Sequence, residues 1–131
     1  MNVKNFEGNS LIYVTPWNNH GYDIAKTFAS KFTYISPVWF QLQQSLEWAT
    51  RIDIAGEHNV DQGWLNEVWY GESDPDEESV GERRKRTKIV PRIRFEQFNL
   101  QTYSNFIRNV QFQYTVLDNL LKLYKYVTNL L

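Results

Sequence analysis

Three short apolar runs, each interrupted by a proline, constrain the fold of this chain more than any other feature of its sequence. They read SLIYVTPWN (residues 10–18), FTYISPVWFQL (32–42) and KIVPRIRFE (88–96). Near-continuous apolar, β-branched runs are typical of strands that are buried on both faces of a parallel sheet. Because proline has no N–H to donate to a neighbouring strand, each proline is expected to mark the point where strand pairing stops. In parallel α/β folds, ligands bind where such strand ends open into loops.

Amphipathic segments lie between these runs and predict helices. Residues 18–32 and 112–130 carry apolar side chains at helical spacing, and Asp61 and Asn99 can each cap a further helix. Residues 51–56 (RIDIAG) alternate like an exposed strand or the arm of a hairpin. The order strand–helix, strand–hairpin–helix, strand–helix predicts an α/β fold whose strands pair in parallel through right-handed crossovers.

Composition narrows the functional classes. A formal net charge of −1 argues against a general nucleic-acid binder, whereas 16% aromatic residues suit a large core or a surface that stacks on sugars or bases. The chain has no cysteine, which excludes disulfides and cysteine-based zinc sites. His20 and His58 lie far apart in the sequence and are weak evidence for a metal, so we predict no metal and no cofactor.

Two further expectations concern segments of the chain. The 131 residues suffice for one modest domain or for part of a larger one, and they show neither a signal peptide nor a membrane span. Residues 71–87 place an acidic block before a basic block with almost no apolar residues, which predicts a charged, solvated loop.

Four motifs together carry a family resemblance. TPWN (15–18), SPVW (36–39), VDQGW (60–64) and VPR (90–92) resemble, in this order, the chitinase-domain-containing branch of glycoside hydrolase family 18. The resemblance implies that residues 1–131 are the N-terminal part of a chitinase-like domain, namely the first three β/α units of a (β/α)8 TIM barrel. A complete barrel needs about 250 residues, so the fourth strand, which carries the catalytic glutamate in this family, is expected beyond residue 131.

The resemblance also implies a function. Active members of the family usually show Ser-x-Gly-Gly on the third strand, whereas residues 88–96 contain no glycine. This departure agrees with a non-hydrolytic branch, so we expect a secreted or lysosomal protein that binds oligosaccharides such as chitin fragments and is not an enzyme. Two alternatives remain open. The chain could be a protein-interaction scaffold for a scavenger-type receptor, or part of a glycosidase whose catalytic acid lies beyond residue 131.

Candidate ligand-binding residues follow from the predicted strand ends. Trp17 and Trp39 come just after prolines, where an indole could stack on a pyranose ring, and Asn18 and Gln41 could hold the sugar hydroxyls. Packing of both indoles in the core, and ordinary loop polarity of the two amides, are the alternatives.

Two charged residues of the third strand complete the predicted site. Strand alternation places Arg94 and Glu96 on the same side, where they could grip a sugar near the barrel mouth. An internal ion pair between the two is the alternative that we favour.

Overall fold

One long strand, Tyr34–Gln44, organises the sheet. The computed structural model describes residues 5–48, 51–71 and 87–131. In chain order the strands are β1 (Leu11–Val14), β2 (Tyr34–Gln44), β3 (Ile52–Ala55), β4 (Lys88–Ile89) and β5 (Arg92–Glu96), and the helices are α1 (Asn19–Thr27), α2 (Gln62–Tyr70), α3 (Leu100–Arg108) and α4 (Val110–Leu130). Short 3₁₀ turns occupy Ala29–Lys31 and Glu57–Asn59.

The strand β2 changes partners along its length. Its first half pairs in parallel with β1, from Leu11 opposite Tyr34 to Val14 opposite Pro37, and in parallel with β4. Its second half, from Gln41 onward, pairs antiparallel with β3, and β5 also pairs with β2. The parallel pairing predicted from the apolar runs is therefore confirmed, and so is the strand predicted within residues 51–56.

The predicted TIM-barrel architecture is wrong. In such a barrel every strand is parallel to its neighbours and leads into a helix, whereas β2 leads into the antiparallel strand β3. The proline of SPVW also does not end its strand, because β2 continues through Pro37 for seven further residues to Gln44. Pro37 stands opposite Val14, the last residue of β1, and β2 continues beyond it. The fold is a small α/β domain with a mostly parallel sheet, and not three β/α units of a barrel.

The chain divides into two compact units. The first comprises Met1–Trp39 and His58–Arg92. Within it α1 and α2 pack against each other, and both helices begin at side-chain caps. The Oδ1 atom of Asn18 accepts from the N–H of Gly21, and that of Asp61 accepts from the N–H of Trp64. Asp61 is therefore confirmed as a helix cap. The buried apolar residues of this unit are Val14, Ala25, Ala29, Ile35, Val38, Trp39, Trp64, Leu65, Val68, Trp69 and Ile89.

The second unit comprises Phe40–Glu57 and Ile93–Leu131. Its core joins the two antiparallel strands to the long helix α4 through Leu42, Ile52, Phe112 and Val116. The predicted cap Asn99 begins α3, where its Oδ1 accepts from the N–H of Thr102. The helix predicted over residues 112–130 is confirmed as α4, which begins after its cap Asn109.

Two sequence expectations concern particular segments. Of the predicted charged, solvated loop at 71–87, residues 72–86 lie outside the described residues. At its edges, Gly71 ends α2, and the Thr87 hydroxyl donates to the carbonyl oxygen of Thr33. Among the residues that the structure describes, no helix is long and apolar enough to cross a membrane.

Candidate functional site

A cleft of about 420 Å³ lies in the first unit. It is formed by the turn after β1, by α1, by the turn before α2 and by α2 itself. Its lining combines aromatic rings with amide, carboxylate and ammonium groups, from Pro16, Asn19, Tyr22, Asp23, Lys26, Asn59, Asp61, Gly63, Trp64 and Glu67. Concave sites with an aromatic surface and a few convergent polar groups are the usual form of small-molecule sites.

The sequence places these groups by helical periodicity. Tyr22 and Lys26 are four residues apart on α1, so they share one face of that helix. Trp64 and Glu67 are three residues apart on α2 and share a face in the same way. Since α1 packs against α2, the two faces meet and line the cleft together.

Three aromatic side chains, Tyr22, Trp39 and Trp64, pack together, and two of them, Tyr22 and Trp64, are among the cleft-lining residues. The rings of Tyr22 and Trp64 meet edge to face with centroids 5.0 Å apart, and those of Trp39 and Trp64 do so at 6.0 Å. The indole Nε1–H of Trp39 donates to the Tyr22 hydroxyl oxygen over 3.1 Å. The indole Nε1–H of Trp64 donates to the carbonyl oxygen of Tyr22 over 3.1 Å. Both indole N–H groups are thus paired with Tyr22, and the triad holds α1 against the sheet and α2.

The Tyr22 hydroxyl has a distinct electrostatic environment. Its oxygen accepts from Trp39, so its own proton is not used in that bond. Burial raises the pKa of this phenol above its usual value, the hydrogen bond from Trp39 lowers it, and the charge of Asp61 raises it further. The raised pKa keeps the hydroxyl neutral to a higher pH than that of a free tyrosine.

The charges of the cleft centre on Lys26. Its Nζ lies 2.8 Å from a carboxylate oxygen of Glu67 and 3.7 Å from one of Asp23. The hydrogen bond to Glu67 is the main reason why the pKa of Lys26 is raised. With Asp61 as the third carboxylate, the lining holds three negative groups and one positive group, a formal charge of −2.

The predicted tryptophans occupy different environments. Trp17 follows β1 and is 68% exposed, between the cleft-lining residues Pro16 and Asn19 in the chain. Trp39 lies inside β2 and is 0% exposed, packed on Trp64. An indole with no exposed surface has no face for a sugar, so this placement favours the core-packing alternative for Trp39 and leaves Trp17 as the candidate for stacking.

The two predicted amides also differ. Asn18 neighbours the cleft, but its side-chain oxygen caps α1. Gln41 lies on β2 within the second unit, opposite Ala55 of β3, and is half-buried.

Arg94 and Glu96 are close to each other on β5 in the second unit. The Nη2 of Arg94 lies 3.4 Å from Oε1 of Glu96, and both side chains are partly exposed. The two side chains therefore pair with each other, as in the alternative to a role in binding, but the pair is partly exposed and not internal. The candidate site therefore separates into residues of the first unit (Trp17, Asn18 and Trp39) and residues of the second (Gln41, Arg94 and Glu96).

Sequence reasoning missed the central residues of the cleft. From the sequence, residues 18–32 predict only an amphipathic helix and Asp61 predicts only a helix cap. The signal that pointed to them was present, since VDQGW places a capping carboxylate, a glycine and an indole within four residues. A Cβ atom at Gly63 would lie 3.2 Å from Oδ1 of Asp61, so this glycine leaves room for the cap.

A second hollow, of about 580 Å³, lies in the second unit between β3 and α4. It is lined by two isoleucines and by polar residues, among them Arg51, Asp53 and Asn119. The amide nitrogen of Asn119 donates to the carbonyl oxygens of Ile52 and Thr115 and so joins strand to helix. Without an aromatic surface among these groups, this hollow is a weaker candidate than the cleft.

Within residues 5–48, 51–71 and 87–131, no three histidine, aspartate or glutamate side chains are gathered so that they could hold a metal ion. No protein-family model matches the chain.

Proposed function

We propose that this chain binds neutral oligosaccharides in the cleft of the first unit and does not hydrolyse them. The observation that carries the proposal is the composition of the cleft, in which the half-buried ring of Tyr22 lies beside three carboxylates and two amides. Sugars present both apolar ring faces and dense hydroxyl groups, and such a lining suits both.

The hydroxyl-binding groups are held in place before a ligand arrives. Lys26 fixes the carboxylates of Glu67 and Asp23, and Asn59 is anchored through its Nδ2 on the carbonyl oxygen of Trp39 at 3.4 Å. Ionised carboxylates accept hydrogen bonds that are stronger than those between neutral groups. Groups that are already ordered lose little conformational entropy on binding, which favours recognition by so small a cleft.

We assign the stacking surface to Trp17, which is 68% exposed and lies in the chain between the cleft-lining residues Pro16 and Asn19. Full burial of an aromatic side chain contributes about 1.5–3 kcal/mol, and a sugar that covers one indole face gains roughly half of this. Each hydrogen bond to a hydroxyl adds only about 0.5–1.5 kcal/mol net. The expected dissociation constants are therefore in the micromolar to millimolar range.

The formal charge of −2 at the cleft selects among ligands. Anionic ligands such as nucleic acids or sulfated glycans are repelled by Asp23, Asp61 and Glu67. Neutral sugars and cationic amino sugars are not. The resemblance of the TPWN and VDQGW motifs to glycoside hydrolase family 18 points to N-acetylglucosamine oligomers as the first ligands to test.

Each carboxylate of the cleft already has a structural role, which supports binding without hydrolysis. Glu67 and Asp23 pair with Lys26, and Asp61 caps α2. A glycosidase of the usual kind needs one carboxyl group that is free to donate a proton and a second carboxylate on the other side of the bond.

The experiment is titration of the chain with N-acetylglucosamine oligomers of two to six units, followed by calorimetry. We expect binding that Trp17→Ala weakens about fivefold, the loss of roughly 1 kcal/mol of stacking. Trp48→Ala is the matched control, because Trp48 is 60% exposed and belongs to the second unit. Incubation with a fluorogenic chitobioside should release no fluorophore.

A second pair of variants tests the cleft itself. Asp23→Asn should weaken binding, whereas Asp118→Asn should not, although both carboxylates sit on a helix and pair with a lysine. Equal affinities for the parent and for Trp17→Ala and Asp23→Asn would contradict the assignment of the cleft. Absence of any glycan binding at millimolar ligand would contradict the function.

A protein partner is the alternative proposal. Capture of a scavenger-type receptor by a chain that binds no sugar on a glycan array would favour it. For either partner we propose a secretory or lysosomal location on the motif resemblance, and localisation of the tagged full-length protein would test it.

A further inference from the structure

The helix α4 has two apolar faces, and only one of them is used within its unit. Phe112, Val116 and Leu123 are buried, the first two in the core of the second unit. A second set of exposed apolar residues forms one line along the same helix, namely Val110, Tyr114, Leu117, Leu121 and Tyr124. Tyr126, which is 41% exposed, lies off this line and packs edge to face on Phe40. A surface helix of a monomer normally presents polar residues on its outer side, so we expect this second face to be covered by another helix or chain.

The spacing of the exposed face is that of a coiled-coil seam. Successive members are separated by four, three, four and three residues from Val110 to Tyr124. This alternation keeps a stripe of side chains facing a partner helix along its whole length, with the members at a and d positions of a heptad. The next position in the series is Thr128, whose hydroxyl already donates to the carbonyl oxygen of Lys125. We call the stripe from Val110 to Thr128 the α4 seam.

We propose that the α4 seam pairs antiparallel with the α4 seam of a second copy of this chain. Charge placement argues for this occupant. Leu117 and Tyr124 occupy d positions of the heptad. The residues that follow them, Asp118 and Lys125, therefore lie at e positions on the same flank, one heptad apart. In an antiparallel pair of helices the e flanks of the two copies face each other.

One register brings opposite charges together on that flank. When Leu121 lies opposite Tyr124 of the second copy, Leu117 lies opposite Thr128, and Asp118 of each copy lies beside Lys125 of the other. A shift by one heptad would place Asp118 beside Asp118, or Lys125 beside Lys125. The two-fold symmetry of a dimer makes the favourable pair occur twice.

A parallel arrangement gains nothing from the same charges. In a parallel pair the e flank of one helix faces the g flank of the other. Asp118 would then lie beside Gln113, and Lys125 beside Leu120. The pattern of charges is therefore specific to the antiparallel pair.

The area of the seam fits a weak, reversible dimer. Tyr114 is 64% exposed and Tyr124 is 66% exposed, so with about 200 Å² for a whole tyrosine they present roughly 130 Å² each. Leu117 and Leu121 bring the apolar surface that pairs in this register to roughly 450 Å², within the range of the largest patches on monomers. With its polar flanks it approaches the area of about 800 Å² per partner in standard interfaces.

The first test is the oligomeric state of the full chain by sedimentation equilibrium. We expect a concentration-dependent monomer–dimer equilibrium in the micromolar range, which Leu121→Glu weakens at least tenfold. Leu46→Glu is the matched control, because the same substitution falls on a leucine that is 97% exposed and lies outside the seam. A monomer up to about 1 mM, or a dimer that Leu121→Glu does not weaken, would overturn the proposal.

The second test addresses the charge pairs. Asp118→Lys and Lys125→Asp should each weaken the dimer roughly three- to tenfold, as expected for two exposed ion pairs, and the double variant should restore it. Helix content by circular dichroism controls for the loss of the Asp118–Lys122 pair within α4, whose atoms lie 2.7 Å apart. Failure of the double variant to recover affinity would refute the register.

The third test addresses orientation through disulfide formation, since the chain has no cysteine of its own. A mixture of Leu121→Cys and Tyr124→Cys chains should form the mixed disulfide dimer, and each variant alone should form little. Efficient self-crosslinking of each variant alone would show a parallel pair and contradict the proposal. These outcomes are independent of the cleft, so they do not bear on saccharide binding.

Discussion

The hydrogen bond between Trp39 and Tyr22 gives the sharpest quantitative test of the aromatic triad. Tyr22→Phe removes the hydroxyl that accepts from the indole Nε1–H of Trp39 at 3.1 Å, and it leaves the ring that meets Trp64 at 5.0 Å unchanged. A typical hydrogen bond contributes about 0.5–1.5 kcal/mol net, and a buried donor that loses its acceptor costs about 1–3 kcal/mol. Because Trp39 is fully buried, we expect Tyr22→Phe to lower the free energy of unfolding by about 1–3 kcal/mol.

A double-mutant cycle separates this bond from the loss of indole bulk. Trp39→Phe removes both the N–H and part of the ring, and the double variant Tyr22→Phe/Trp39→Phe removes both partners of the bond. Tyr22→Phe should lower the free energy of unfolding less in the Trp39→Phe background than in the parent chain. The expected coupling free energy is about 0.5–1.5 kcal/mol. The cost of the smaller ring cancels in the cycle.

The assay is urea unfolding followed by circular dichroism at 222 nm, with the slopes of the four chains compared before free energies are extracted. The signal reports helix and does not depend on the number of tryptophans, which changes in this series. A destabilisation by Tyr22→Phe below about 0.3 kcal/mol, or a coupling energy of zero, would refute the role of this bond in the triad.

Three further predictions concern stability. Asp61→Ala removes the cap of α2 and should cost about 1 kcal/mol, measured by the same urea titration; Asp61→Asn, which can still cap, is the control, and an equal loss in both would contradict the capping role. Phe112→Ala empties a site in the core of the second unit and should cost about 3–5 kcal/mol; a loss below about 1 kcal/mol would contradict its placement. Burial raises the pKa of Tyr22 and the hydrogen bond to Glu67 raises that of Lys26. A group whose pKa is higher in the folded chain contributes stability below its unfolded pKa of about 10, which is lost as pH rises through the folded value. Urea midpoints should therefore fall above about pH 10, less steeply in Tyr22→Phe, and a flat profile would contradict these shifts.

Local features of this fold could be predicted because each depends on residues that are near in sequence. A capping carboxylate or amide acts on an N–H three residues later, so Asp61 and Asn99 could be assigned from the sequence alone. The period of α4 and the alternation of β3 are likewise local patterns. The cleft was not predicted, because it exists only where the faces of α1 and α2 meet.

Proline shows most clearly why the architecture could not be obtained in the same way. A proline removes one N–H, and whether that loss ends a strand depends on which neighbour would have received it. Pro37 lies opposite the last paired residue of β1, yet the same strand continues and pairs with β3 on residues four to seven positions later. The sequence of SPVW carries no information on that second partner, since β3 is specified by residues 52–55. A short motif such as SPVW thus constrains the conformation around the proline, whereas the choice between a barrel and an open, mixed sheet depends on pairing with the next strand. The burial of Trp39 has the same cause. If β2 ended at Pro37, the indole of Trp39 would lie at a strand end, but because the strand continues, this indole is buried against Trp64.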